Sequence, residues 1–328
     1  MNIIKERKKI NRAIRKAKII FLMAHKNLDL DALGSCIGMD QLLKRRRKKV
    51  YIIIDDKEHE AGVEKVLREL DGCIDIIKSE NIEEYKSEKD DKNLLIILDT
   101  NKKELVQNEK VLKQIKNKLV IDHHGLGKTT IKDAIIIDDK KTSSTCEMIT
   151  NLIEHYEVEI DSYYATILLA GIVLDTNNYT LNTSAETFYT SYYLTSLGAS
   201  AKKVQYLLKQ NIEEYTERQK LLSDIETING KIAFTKGSPN TQYRREDLAK
   251  VADTLLFFNN IEASFVIGKI GKEVIGVSAR SLGSYDILKV LEKIGGGGDS
   301  AGGAASFENT TISKVEQELK KIINEIGE

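Results

Sequence analysis

Cysteine is scarce in this chain of 328 residues: three are present, Cys36, Cys73 and Cys146, with no CxxC pair among them. That argues against a disulfide framework or a zinc knuckle and suits a reducing cytosol. Proline occurs once, at Pro239, and carries no functional meaning here. Net charge is missing as well, because 50 Lys and Arg are balanced by 50 Asp and Glu. A global attraction to nucleic acid or to a membrane is therefore not expected. The apolar runs fall far short of the ~20 residues that a membrane helix needs. The basic start leads into a strand and a polar motif, unlike a signal peptide. The chain reads as cytoplasmic, either by itself or as the soluble part of a membrane-anchored protein. Charge does concentrate locally, in residues 1–17 and in Lys44–Lys49. Solvated helix faces are the simpler reading of both, and a polyanion patch is the sharper one.

What remains is an ordinary globular composition, 30% charged and 41% hydrophobic, in a chain long enough for two domains. Short apolar runs at Ile19–Ala24, Val50–Ile54, Ile74–Ile77, Leu94–Leu98, Leu119–Ile121 and Ile135–Ile137 read as buried parallel strands. Helical patterns at Ala32–Lys44, Glu60–Leu70 and Glu104–Lys116 alternate with them. The expected fold class is α/β, a parallel sheet with helices on both faces. From Ser143 the pattern turns helical, opening on Ser144 and Glu147 as a capping box. A following helix runs through Tyr164–Leu174 and ends at Asp175. The expected domains are residues 1–198, a helical linker over 199–228, and a smaller α/β domain over 229–328. In the last, strands are expected at Lys231–Thr235, Ala263–Ile270 and Glu273–Ala279, with helices at Arg245–Phe258, Tyr285–Lys293 and Ile312–Ile326.

Three strand ends carry the chemistry. His25-Lys-Asn-Leu-Asp29-Leu-Asp31 follows the first run, Asp99 ends the fourth, and Asp122-His123-His124 follows the fifth. Ligands of open α/β sheets bind beyond the carboxyl ends of the strands. Asp29 and Asp31, two apart, are expected to point the same way if the chain is extended there. Asp175 adds a carboxylate from a helix end. Oxygen and imidazole donors in that number can hold a pair of divalent cations. In the second domain, Ser278-Ala-Arg280-Ser281 ends a strand, and Gly295-Gly296-Gly297-Gly298 follows a helix. Arg280 offers a planar fork for phosphate, and successive glycine N–H groups can form an anion-binding nest.

These motifs resemble those of the DHH phosphoesterase superfamily with its associated DHHA1 domain, over nearly the whole chain. The segments 278–283, 291–298, 143–147 and 169–176 are most similar to the catalytic part of GdpP-type cyclic di-AMP phosphodiesterases. The resemblance implies two Mn²⁺ ions: His25 and Asp29 on one, Asp31, His123 and Asp175 on the other, and Asp99 bridging. It makes His124 a residue near the scissile phosphate. It assigns Ser278, Arg280, Ser281 and Gly295–Gly298 to substrate, with Asp299 at the position where the family usually has histidine. It implies hydrolysis of cyclic di-AMP to pApA, and a homodimer. Two further departures are Asn27-Leu28-Asp29 for Asn-Pro-Asp, and Asn182-Thr183-Ser184 for Arg-Thr-Gly. The alternatives are a nanoRNase/pAp phosphatase acting on short linear oligonucleotides or on 3′-phosphoadenosine phosphate, and a cyclic-dinucleotide sensor with weak turnover.

Overall fold

A computed structural model describes residues 3–56, 59–298 and 301–326. The chain divides into two compact units, Met1–Gln210 and Asn211–Glu328. Each is described by itself.

In the first unit the strands are β1 (Ile19–Met23), β2 (Lys49–Ile53), β3 (Ile76–Ile77), β4 (Asn93–Leu98), β5 (Lys118–Asp122) and β6 (Ile135–Asp138). All pairings are parallel, in the order β3-β2-β1-β4-β5-β6. The helices are α1 (Arg7–Lys16), α2 (Leu30–Arg45), α3 (Ala61–Glu69), α4 (Ile82–Tyr85), α5 (Glu109–Gln114), α6 (Thr145–His155), α7 (Ser162–Asp175), α8 (Ala185–Ser196) and α9 (Ala201–Leu207). The apolar runs of the sequence become strands because both sheet faces are covered. Ile20 and Leu22 of β1 join one core with residues of α1, α2, α6 and α7, whereas Phe21 and Met23 join another with Ile82, Val111 and Leu112. A strand buried on both sides has no need of polar alternation. The strand order reverses between β1 and β4, which opens a crevice at their carboxyl ends.

Two local expectations are corrected. Helix α5 starts at Asn108 rather than Glu104. The preceding segment turns at residues 103–105 and then bridges to the chain after β1 through Val106: Lys26 N–H donates to Leu105 O, and Gln107 N–H donates to Ala24 O. Asn108 then accepts from Lys110 N–H as the cap. The capping box at Ser144 is half formed. Ser144 accepts from Glu147 N–H, but the Glu147 carboxylate turns to the Ser143 N–H and hydroxyl and to Thr187.

In the second unit the elements are α10 (Ile212–Lys220), β7 (Glu226–Ile228), β8 (Ile232–Lys236), α11 (Arg245–Leu255), β9 (Ala263–Gly271), β10 (Val274–Ser281), α12 (Ile287–Lys293), β11 (Gly297–Gly298), β12 (Gly302–Glu308) and α13 (Ile312–Ile326). They build a mixed sheet, β11-β12-β10-β9-β8-β7, in which β8 and β9 alone among the described pairs run parallel. Helices α12 and α13 cover one face and α11 the other. The stretch 199–228 is thus divided, with α9 in the first unit and α10 and β7 in the second. Among the described residues, no helix is long and apolar enough to cross a membrane.

Close helix approach places the acidic motif. On Gly171 of α7, a Cβ would meet Cys146 Sγ at 2.5 Å and Asp31 Cα at 3.0 Å. Gly171→Ala gains about 1 kcal/mol of helix propensity, but the crowding costs about 1–3 kcal/mol. We expect a lower melting temperature by differential scanning calorimetry; an unchanged or higher one would show that this helix contact is looser than described.

Candidate metal centre

The first strand end turns sharply. After β1, Asn27 adopts a left-handed backbone (φ 55°), and its N–H donates to Asp56 Oδ2 at 2.8 Å. Asp29 then caps α2, its Oδ1 accepting from Ala32 N–H at 2.8 Å. Asp31 lies in the first turn of that helix, so the extended two-residue step expected from the sequence is replaced by a cap followed by a helical turn. Both carboxylates still reach the same site. Asp31 is fully buried and accepts from Thr145 N–H and Cys146 N–H, both at 2.8 Å, so the first turn of α6 holds it. At the end of β4, Asp99 is buried with φ 61°. That conformation strains a residue carrying a Cβ. The turn aims its carboxylate into the crevice, where Thr145 Oγ1 donates to it at 2.9 Å.

Around Asp99 the remaining predicted residues converge. His25 Nε2 lies 3.3 Å from Asp99 Oδ2 and 3.7 Å from Asp29 Oδ2. His123 Nε2 lies 3.0 Å from Asp175 Oδ2, 3.5 Å from Asp99 Oδ1 and 4.0 Å from Asp31 Oδ2. Three overlapping donor groups result: His25, Asp29 and Asp99; Asp31, His123 and Asp175; and Asp99, His123 and His124. Within each, the donor atoms lie within 4.8 Å of one another.

Several residues to which the sequence reading gives no role hold these side chains. Asp122 is buried and accepts from His123 N–H at 2.8 Å, His124 N–H at 3.3 Å and the His124 ring Nδ1 at 2.8 Å. Asn101 Nδ2 donates to the other Asp122 oxygen at 2.5 Å and to Gly125 O at 2.9 Å. Gln107 Nε2 donates to His25 O and to Asp56 Oδ2, both at 2.7 Å. Asp122 stood inside a visible motif; Asn101 and Gln107 are recognisable only once β4 and β1 are neighbours.

Electrostatics distinguishes the carboxylates. Burial pushes Asp29 up to about 6. Burial, together with the charges of Asp99 and Asp175, pushes Asp31 well above the usual carboxylate range. Burial also opposes charge on Asp99, yet the His123 and His25 imidazoles beside it hold it well below that range. Burial works against the imidazolium of His25 too, but the Asp99 hydrogen bond and the Asp29 charge raise it to about 10. The upward shifts of Asp29 and Asp31 and of the histidines all act to offset the crowded negative charge.

The donor set fits divalent cations. His25 Nδ1 donates to Lys26 O at 2.7 Å when the ring is neutral, which turns the Nε2 lone pair toward two carboxylates. His123 Nε2 is buried and makes no hydrogen bond of acceptable geometry, despite the acids around it. Lone pairs facing carboxylate oxygens repel unless a cation lies between them. Cys146 donates to Asp31 O at 3.4 Å, and its burial raises the thiol well above normal, so it is not part of the donor set.

In the second unit, Arg280 Nε donates to Asp253 Oδ1 at 2.8 Å, and Nη1 donates to Ala279 O at 2.9 Å. Ser278 is buried beside it, its hydroxyl 3.5 Å from Nη1. The Ser281 hydroxyl donates to Tyr285 O at 2.7 Å and accepts from Gly283 N–H, so it stabilises the turn after β10. The glycine run continues from a loop into an edge strand: Gly297 and Gly298 pair with β12. A Cβ on Gly298 would sit 2.3 Å from Gly302 O, and one on Gly296 would sit 2.7 Å from Ala304 O, whereas Gly297 faces open space. Asp299 lies outside the described residues.

Residues 19–172 match the DHH family, N-terminal domain. The chain is 35% identical over 322 residues to the cyclic-di-AMP phosphodiesterase GdpP of Geobacillus thermodenitrificans, covering 96% of this chain and 48% of that protein. It is 32% identical over 322 residues to the cyclic-di-AMP phosphodiesterase PdeA of Listeria monocytogenes, covering 95% and 48%. The chain therefore spans about half the length of these curated relatives. Its fold is similar to that of an exopolyphosphatase-related protein from Bacteroides fragilis, with a TM-score of 0.79 at 21% identity over 98% of this chain and 97% of that one.

The packing of Asp122 gives a test. Asp122→Asn removes the charge that four N–H donors share and is expected to cost about 2 kcal/mol. Urea unfolding reads the loss; wild-type stability in the variant would mean that Asp122 does not anchor the two histidines.

Proposed function

We propose, because residues 19–172 match the DHH family, N-terminal domain, that this chain is a manganese-dependent phosphodiesterase that hydrolyses cyclic di-AMP to pApA. The observation that carries the reading is the pair of donor groups joined through Asp99. His25 and Asp29 would hold one Mn²⁺, Asp31, His123 and Asp175 the second, and Asp99 both. When bound, the two cations supply an acidified water nucleophile and charge stabilisation for the phosphoryl oxygens. The rest follows from the chain's own groups. Asp31, Asp29 and His25 are oriented before any ligand arrives, which limits reorganisation during the reaction. His124 is half exposed, and Asp122 holds its Nδ1. Burial disfavours its charge, yet the Asp122 hydrogen bond raises it above the usual imidazole range. In its protonated form, the Nε2–H can orient the phosphate or protonate the departing 3′-oxygen. Arg280 keeps its Nη2 for the distal phosphate while Asp253 fixes the guanidinium plane. Within the second unit, Ser278 and Gly297 would be further substrate contacts beside Arg280.

Purified chain with Mn²⁺ is expected to convert cyclic di-AMP to pApA and to stop there, as read by chromatography, with pApA and 3′-phosphoadenosine phosphate run in parallel. Asp99→Ala should lower the rate at least about a hundredfold while remaining folded by circular dichroism. Preferred cleavage of pApA to AMP would move the chain to the nanoRNase reading. Tight binding of the cyclic dinucleotide without product would make it a sensor.

A further inference from the structure

The basic amino-terminal helix has no part in the proposed chemistry, and it does not simply face solvent. With Ala13 and Ala17 it lines a cavity of about 430 Å³ in the first unit, beyond the amino ends of β4, β5 and β6. This is the end of the sheet opposite the metal centre. Five cations line it: Arg12 and Lys16 from α1, Lys116 and Lys118 at the entry to β5, and Lys132 ahead of β6. Asp91 and Asp133 are the acids. Five positive charges less two negative ones leave a surplus of three in a chain whose total charge is zero.

The pairing inside the cavity is incomplete. Lys116 pairs with Asp90. Lys118 has only 4% of its side chain exposed, and its ammonium meets Asp133, itself 73% exposed, at 2.5 Å. Arg12, Lys16 and Lys132 make no ion pair among the described residues. Arg12 and Lys16 stand four apart on one helix face, where like charges repel. A buried ammonium held by one exposed carboxylate, beside three unpaired cations, is an arrangement that an anion with several charges would stabilise. The volume falls within the range of small-molecule sites.

We propose that this cavity binds an oligophosphate, either the phosphate chain of a nucleotide or inorganic polyphosphate. Lys118 sits at the floor, Arg12 and Lys16 form one wall, and Lys132 the other. The site is separate from the metal centre, although β5 carries Lys118 at one end and Asp122 at the other, roughly 13 Å apart along the strand.

Calorimetric titration of the full chain in EDTA, which disables cation-mediated phosphate binding, tests this with sodium tripolyphosphate and with ATP. We expect one anion per chain, binding that weakens as salt rises, and an affinity about tenfold lower in Lys16→Glu/Lys132→Glu. Both positions are exposed, so the variant should keep its melting temperature and its hydrolytic rate. Equal affinities for the two probes point to the phosphate chain alone, and tighter binding of ATP to a nucleotide. Binding no stronger than that of sulfate, or unchanged by the double substitution, overturns the proposal.

Discussion

Negative charge packed into a small, water-poor space is the constraint on which the first unit depends. Asp29, Asp31, Asp99 and Asp175 all come within reach of two imidazoles, His25 after β1 and His123 after β5. Like charges this close cannot all be ionised without compensation. The fold answers with fixed dipoles and positive groups: the first turn of α6 on Asp31, the first turn of α2 on Asp29, and the imidazoles on Asp99. Glycine at 171 lets α7 approach closely enough to bring Asp175 to the same point. The proposed pair of cations is the remaining compensation, and it would replace protonated histidines with neutral ligands.

Strain and support are arranged around one residue. Asp99 occupies a left-handed backbone that glycine would adopt more cheaply. Its neighbours over-determine it: Thr145 donates to it, His25 and His123 contact both oxygens, and Asp99 N–H donates to Ile121 O. A side chain shared by two donor groups must be held against both, and the buried layer of Asn101, Asp122 and Gln107 does that for the histidines.

Much of this was legible in the sequence. The apolar runs located every strand of the parallel sheet to within two residues, because strands buried on both faces must be continuously apolar. His25, Asp29, Asp31, Asp99 and His123 stood out because ligand-type residues followed those runs, and Asp175 because it ends an apolar helix. The bridge at Val106 was hidden, since its partner is His25, about 80 residues away. Strand β7 was hidden because it is an exposed edge with no apolar run, and β11 because glycine has little strand preference. Thr145, Asn101 and Gln107 act through hydrogen bonds that exist only after folding.

The central claim is that this cluster is a two-cation centre. Metal analysis of the purified chain, equilibrated with Mn²⁺ and freed of unbound ion, tests it most directly. Two Mn²⁺ per chain is the predicted result. One ion, or none, at saturating Mn²⁺ would contradict the account.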